Sequence, residues 1–457
     1  MAMMAGDGPW IDRLTSVYKQ PWSRRRAVAW WTAAAVLVFG IGLVAGKGGN
    51  PLIDLKVYRD GGISFMKDLP LYTSRFPHPL AGPDLPFTYP PFAAVVFSVL
   101  GFVGYYLAAV LMVAIGFTAL TWTVYLVLRN RAGSRFLPRP TPRVLVTLTL
   151  VSLVMEPISS TFLHGQINLL LMGLVVTDAL GPKTRIPRGV LAGIAAAIKL
   201  TPAVFLLYFV ARRQWKTASN MVAAFIGATS LSIILAPRDS EAYWTATVFD
   251  PTRIGDLGYA ANQSLRGGLH RLGGLPGLAM SVKTEEHLWL GLSMIVIGLA
   301  YAGARRAVKR GDTVCALAVV AACQLLISPV SWSHHWVWIA PMLLPFAIQI
   351  LRGRERLKIA GLGLLSVVFL IGPLLLFPVN HGLEMHWGWW ENLIGDAYML
   401  ITLAFVVWAA VARRAERVGA QVAAPGAARA DGEHHAYTCR GALGSRAWPP
   451  SRNAGKR

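Results

Sequence analysis

The stretch Ala27–Gly46, AVAWWTAAAVLVFGIGLVAG, follows Arg24-Arg25-Arg26 and decides how the rest of the chain is read. An apolar run of about 20 residues crosses the ~30 Å hydrocarbon core of a bilayer as a helix. This one is too long and too rich in tryptophan for a cleaved signal peptide and lacks a small-x-small exit. It reads as an anchor, with the basic segment 1–26 inside and everything from Lys47 to Tyr89 outside. The composition agrees: 54% of the residues are hydrophobic and 14% charged, whereas soluble domains carry about 25% charge. An ordinary soluble protein is excluded.

Loop charge orients the remaining segments. Pro90 to Leu128 is long for one helix and short for two, and it ends in Arg129, Arg131, Arg135, Arg139 and Arg143. An odd number of crossings is required, met by one crossing plus a half-membrane segment starting at Pro90-Pro91. Val144 to Ile158 returns outward, and Leu169 to Leu180 comes back to Lys183, Arg185 and Arg188. Val190 to Val210 has cations at both ends and a break at Lys199-Leu200-Thr201-Pro202, where proline opposes helix, so it reads as a hairpin of short helices. Ala218–Ala236, His287–Ala304, Val314–Ile327, Trp336–Leu351, Ile359–Phe377 and Ala397–Ala412 then alternate. The expectation is an all-α polytopic membrane protein of about 10–12 transmembrane helices with amphipathic helices in its external loops. Its transmembrane domain would span 27–413, with external loops 47–89, 156–168, 237–286, 328–336 and 378–393. The Ala/Gly/Pro/Arg-rich segment 414–457 reads as a disordered cytoplasmic tail, so both termini are expected inside. The net charge of +22, from 44 Lys+Arg against 22 Asp+Glu, is then mostly cytoplasmic loop and tail, and no nucleic-acid partner is implied. Cys315, Cys323 and Cys439 show no disulfide or metal spacing.

Polar residues collect on the outer face. The first loop carries Asp54-Leu55-Lys56-Val57-Tyr58-Arg59-Asp60 and ends Phe87-Thr88-Tyr89-Pro90-Pro91. The others offer His164-Gly165-Gln166-Ile167-Asn168, Asn262-Gln263-Ser264-Leu265-Arg266, Ser331-Trp332-Ser333-His334-His335, and a last loop with His381, Glu384, His386, Glu391 and four aromatics. A scaffold needs no such convergence. An enzyme acting on lipids does, since it holds a charged headgroup at the interface while the tail stays in the bilayer. Each residue also has a plainer reading. Asp54 can be a helix cap or a general base. His334 and His335 point about 100° apart on a helix, which disfavours their chelating one metal ion. The tryptophans can form an interfacial belt or stack on sugars. Gln166, Asn168, Asn262 and Gln263 suit sugar hydroxyls or loop closure. Lys199 is harder to dismiss, because a cation within an apolar segment is costly and suits a phosphate.

The set Asp54-Leu55-Lys56-Val57-Tyr58, Phe87-x-Tyr89-Pro90-Pro91, Gly165-Gln166-x-Asn168, Lys199-x-x-Pro202, Asn262-Gln263-Ser264 and Ser328-Pro329-x-Ser331-Trp332-x-His334-His335 resembles glycosyltransferase family 87. Its members are actinobacterial polyprenyl-phosphate-mannose-dependent α-1,2-mannosyltransferases, and the likeness is to those that elongate phosphatidylinositol mannosides. It covers roughly Ala27 to Arg413, and its force lies in the order of the motifs. The resemblance implies a type C glycosyltransferase (GT-C) helix bundle with a periplasmic site under the first external loop. It further implies a polyprenyl-phosphate sugar donor, a glycolipid acceptor, and neither cofactor nor metal. Asp54 matches the family's catalytic aspartate, with Asp60 its competitor, and the family's histidine falls on His334 or His335. Lys199, Arg266 and that histidine are candidates for the departing phosphate. Lys56, Tyr58, Arg59, Asp60, Tyr89, His164, Gln166, Asn168, Asn262, Gln263 and Trp332 are candidates for substrate contact. An arabinofuranosyl or other sugar transferase, or a lipid or sugar transporter, stays open as an alternative.

Overall fold

A computed structural model describes residues 52–73, 76, 85–131, 141–353 and 356–411. The expected first crossing at 27–46 and the tail from 414 onward lie outside the described residues. Among those described, the protein is all-α, with one isolated antiparallel bridge between Asn262 and Trp332.

Helix α1, Ile53–Met66, packs along α2, Pro91–Gly101. The approach is close because Gly62 has no side chain: a Cβ there would stand 2.4 Å from the Phe97 carbonyl oxygen. Pro91 suits the start of α2, where its missing N–H is not needed. After a three-residue bend comes α3, Tyr105–Arg131, long and apolar enough to cross a membrane. Next, α4, Pro142–Leu153, meets α5, Glu156–His164, at 78°. The segment 156–168, expected as a turn, is therefore mostly helix. Its serines and threonine hide the helical signal, yet Glu156-Pro157 starts α5 and Gly165, at φ 68, ends it. Helix α6 is Asn168–Leu180.

The expected hairpin follows as α7, Val190–Ile198, a 3₁₀ turn at Thr201–Phe205, and α8, Leu206–Ala211. Both of its ends sit at the Leu180 end of α6. The Ala192 N–H donates to Asp178 Oδ2 at 2.8 Å, Arg188 to the Gly181 carbonyl at 2.6 Å, and Arg212 to the Ala179 carbonyl at 3.3 Å. Its apex is at the other end of α6, where Lys199 Nζ donates to Asn168 Oδ1 at 3.0 Å. The arginines at the closed end cap helix carbonyls that lack an intrahelical donor, as Arg305 does for Ala211 at 2.6 Å.

Helix α9, Trp215–Leu235, is followed by α10, Pro237–Thr245, two 3₁₀ turns at Thr247–Phe249 and Pro251–Ile254, and α11, Leu265–Leu272. Then come α12, Val282–Lys309, α13, Thr313–Ile327, a 3₁₀ turn at Ser333–Trp338, α14, Ile339–Gly353, and α15, Arg356–Ile371. Short 3₁₀ turns at Pro373–Leu375 and Leu383–His386 lead to α16, Trp389–Gly395, and α17, Ala397–Val411. Among the described residues, α3, α9 and α12 each have the length and apolar content of a membrane span, and the bent pairs α4–α5 and α16–α17 pass together. α9 and α12 show apolar side chains outward, Ile226, Ile234, Met294 and Ile295 among them. An exposed apolar band of this extent belongs in hydrocarbon, and the protein is a membrane protein. By contrast, α13 is a 15-residue helix buried along its length from Val314 to Leu326. At about 1.5 Å per residue it is shorter than the bilayer core. Protein on every side, with α12 and α17 packed against it, supplies its surroundings.

Candidate active site

The apex of the hairpin, the start of α1, the end of α5 and the Ser333–Trp338 turn meet at one end of the bundle. They enclose a cavity of about 280 Å³ whose wall includes Asp54, Tyr89, Gln166, Lys199, Arg253, Trp332 and His335.

Asp54 is in the first turn of α1 but caps nothing: the N-cap is Leu52, whose φ is 55 and whose side chain makes no capping bond. The Leu52 N–H instead donates to the Leu163 carbonyl at 2.9 Å and ties α1 to α5. That tie aims the Asp54 carboxylate into the cavity. Burial pushes its carboxyl above the ordinary range, against the opposing pull of His164, a hydrogen bond from Gln166, and Lys199. Gln166 is held in turn by Tyr58, whose hydroxyl donates to Oε1 at 2.8 Å and lies 3.0 Å from the Tyr89 hydroxyl. The Tyr58 ring stacks on Phe97, with centroids 4.4 Å apart.

Lys199 is the cation of this wall. Its Nζ lies 3.1 Å from His335 Nε2 and 5.5 Å from the centre of the Tyr89 ring, besides its bond to Asn168. An ammonium only donates, so this contact puts the Nε2 lone pair toward lysine and the ring proton on Nδ1. Burial first, then Lys199 and His334, hold His335 well below the ordinary imidazole range. His335 is therefore a neutral imidazole whose N–H is at Nδ1. His334, its neighbour, does not line the cavity. Its carbonyl accepts from Thr161 at 2.7 Å and Asn168 at 3.0 Å, and its ring sits 4.9 Å from that of His164. His164 is anchored through Nδ1 to the Ser160 carbonyl at 2.7 Å.

The remaining sequence candidates lie elsewhere. Asp60 is buried against α2, and burial raises its carboxyl to about 7 despite Arg59 and Lys56. Six residues along a helix turn it some 240° from Asp54, and it does not reach the cavity wall. Arg59 donates to the carbonyls of Leu100 and Val103 at 3.2 and 3.0 Å, and Lys56 covers the Tyr105 ring. Asn262 and Gln263 are wholly buried and bonded to main chain. Asn262 Oδ1 accepts from the Ser331 N–H at 2.9 Å, and Gln263 Nε2 donates to the Ala260 and Gly395 carbonyls at 2.9 and 2.8 Å. Asn262 thereby fixes the chain that carries Trp332, and the Gln263 main-chain N–H adds a bond to the Ser331 carbonyl at 2.9 Å. Arg266 faces Glu285 at 3.6 Å and covers Trp289.

Polar cavity residues that no sequence motif marked include Tyr243, Thr247, Asp250 and Arg253. The signal for the last two is Asp250-Pro251-Thr252-Arg253, an Asp-Pro turn presenting a cation in a loop expected on the face where cations are scarce. Near the site, Glu156 is a partly buried carboxylate that accepts from Ser333 at 2.8 Å and from Tyr398 at 3.0 Å. Arg271, also passed over, is wholly buried and pairs with Asp396 while donating to the Gly258, Tyr259 and Asn262 carbonyls.

Comparison with known proteins bears on this site. The profile of glycosyltransferase family 87 matches residues 87–329. A polyprenol-phosphate-mannose-dependent alpha-(1-2)-phosphatidylinositol mannoside mannosyltransferase of Mycobacterium tuberculosis is 36% identical over 400 residues, covering 84% of this chain and 90% of that protein. Its namesake in Mycolicibacterium smegmatis is 37% identical over 376 residues, covering 78% and 82%. A Mycobacterium tuberculosis protein named for the pentamannoside acceptor is 32% identical over 395 residues, covering 84% and 88%. No solved structure matches the chain.

Proposed function

Because the chain belongs to glycosyltransferase family 87, we propose that it moves mannose from a polyprenyl-phosphate-mannose donor to a phosphatidylinositol mannoside acceptor at the periplasmic face. The product is an α-1,2-mannoside made in one inverting displacement. The names of the relatives support the donor and the acceptor class. The side of the membrane is supported by the charge distribution: Arg188, Arg212 and Arg305 cap the end of the bundle opposite the cavity, and cations mark the cytoplasmic end.

One observation carries the reading, namely that Asp54, Lys199 and His335 share one cavity wall. The acceptor hydroxyl attacks the anomeric carbon from the face opposite the phosphate. Its proton passes to Asp54, a bond forms from its oxygen to C1, and the electron pair of the breaking C1–O bond leaves with the polyprenyl phosphate. One carboxylate suffices as general base. No acid is needed at the leaving group, unlike in a glycosidase, because a phosphate leaves as a stable anion. Lys199 and the Nδ1–H of His335 stabilise the charge that grows there, a task that donors in a partly dry site perform well.

A radiolabelled polyprenyl-phosphate-mannose assay in membranes tests this. Wild-type membranes label phosphatidylinositol mannosides, and Asp54→Ala loses about 10²- to 10⁴-fold of that transfer. Full transfer by Asp54→Ala would remove Asp54 from the role of base.

A further inference from the structure

Arg253 stands on the 3₁₀ turn Pro251–Ile254 and lines the same cavity as Asp54, Lys199 and His335. Its turn is braced from both sides. Asp250 Oδ1 accepts from the Thr252 N–H at 3.1 Å and from the Thr252 hydroxyl, and Pro251 fixes its own φ. After the turn, Gly255 at φ 141 lets the chain run against Trp332, whose ring would lie 3.0 Å from a Cβ there. Yet among the described residues no carboxylate matches the cation on this braced turn, whose charge reaches only the Tyr72 hydroxyl. The Arg253 Nε is buried without a hydrogen-bond partner. A planar guanidinium in a half-enclosed cavity suits a phosphate, which can accept two parallel bonds.

The chemistry calls for such a group. A mannosyl phosphodiester carries one negative charge, and the phosphate monoester it releases carries up to two. Lys199 already serves Asn168, His335 and the Tyr89 ring, and its charge also acts on Asp54. A second cation is needed for the second charge, and Arg266, the arginine that the sequence offered for the departing phosphate, faces Glu285 instead.

We propose that Arg253 binds the phosphate of the polyprenyl-phosphate donor and of the polyprenyl phosphate that departs, as the second cation of the site beside Lys199. The proposal rests on the transfer reading above for its substrate but makes a separate claim, that the 250–254 turn is a phosphate clamp. Trp332 and Asp250 then act as positioning residues for it.

Two readouts on the full-length protein in detergent separate the claims: binding of tritiated decaprenyl phosphate, and steady-state transfer of mannose. Arg253→Gln should weaken decaprenyl phosphate binding and raise the donor KM roughly ten- to hundredfold, the range of one or two charge-assisted bonds. The acceptor KM stays unchanged, and Arg253→Lys recovers part of the loss. Thermal unfolding of both variants at the wild-type temperature shows that the turn still folds. Unchanged decaprenyl phosphate binding in Arg253→Gln overturns the proposal, as does an equal rise in donor and acceptor KM. If the wild type binds decaprenyl phosphate and Arg253→Gln does not, while neither transfers mannose, the transfer reading falls and the clamp stands. If the wild type itself fails to bind decaprenyl phosphate, the clamp falls.

Discussion

Lys199 and His335 meet at 3.1 Å, Nζ to Nε2, across 136 residues of chain. The contact joins the break in an apolar hairpin to the turn before α14, and it sets the imidazole tautomer. Two groups linked in this way act as a unit, and their losses should not add. Lys199→Met is expected to lower kcat about 10²- to 10³-fold, the scale of one lost donor to a developing anion. The double variant with His335→Gln should lose little more than the worse single change. Measured kcat values in that cycle check this, and full additivity would mean that the two side chains act independently.

The pH dependence separates Asp54 from His335. A general base works deprotonated, so kcat/KM should rise with pH as Asp54 loses its proton. Burial raises the Asp54 carboxyl, which moves the midpoint of that limb above the ~3.9 of an ordinary aspartate. His335 is held neutral and well below its ordinary value, so it adds no limb near pH 6.5. Asp54→Asn should flatten the acid limb. A limb near pH 6.5 that survives Asp54→Asn and disappears in His335→Gln would reverse the two assignments.

Lys199 and the hairpin were legible in the sequence because each breaks a strong local rule: a lysine in an apolar run and a proline inside a helix pattern are hard to place otherwise. Asp54, which also reads as a helix cap, stands out through the family motif alone. Asn262, Gln263 and Arg266 were not separable in this way, since an amide looks the same in sequence whether it meets a sugar or the Ser331 N–H. His334 and His335 are adjacent in the chain, and only folding shows that one faces the cavity while the other gives its carbonyl to Thr161 and Asn168. Arg271 and Asp396 are 125 residues apart, and no local pattern links them. The helix at 156–164 is hidden in the sequence because its polar side chains mask the apolar period, although its proline start and glycine end are both visible.

Arg271 is a wholly buried cation. Its side chain is 0% exposed beside an Asp396 side chain that is 4% exposed. It holds three loop carbonyls as well, so it fixes the chain from Gly258 to Asn262. Removing one partner leaves the other charge buried and unpaired, which costs about 3–5 kcal/mol. Arg271→Met should therefore unfold at a markedly lower temperature and accumulate poorly in membranes. Adding Asp396→Asn should restore part of the stability, because it removes the orphaned charge. A fluorescence-detected melt in detergent reads both, and a single variant as stable as wild type would contradict the structural role.

Glu156 combines both themes, since it is not among the residues lining the Asp54 cavity but holds Ser333 and Tyr398 on its two oxygens. Those bonds anchor the start of the turn that carries His335. Glu156→Ala leaves the buried hydroxyls without an acceptor, at a cost of about 1–3 kcal/mol, and frees the turn, so transfer should fall with stability. Glu156→Gln keeps the shape, and the hydroxyls can reorient around the amide, so it should preserve transfer. Transfer in membranes and a fluorescence-detected melt in detergent read the two variants side by side. Wild-type transfer and an unchanged melting temperature in Glu156→Ala would show that these two bonds do not hold the turn.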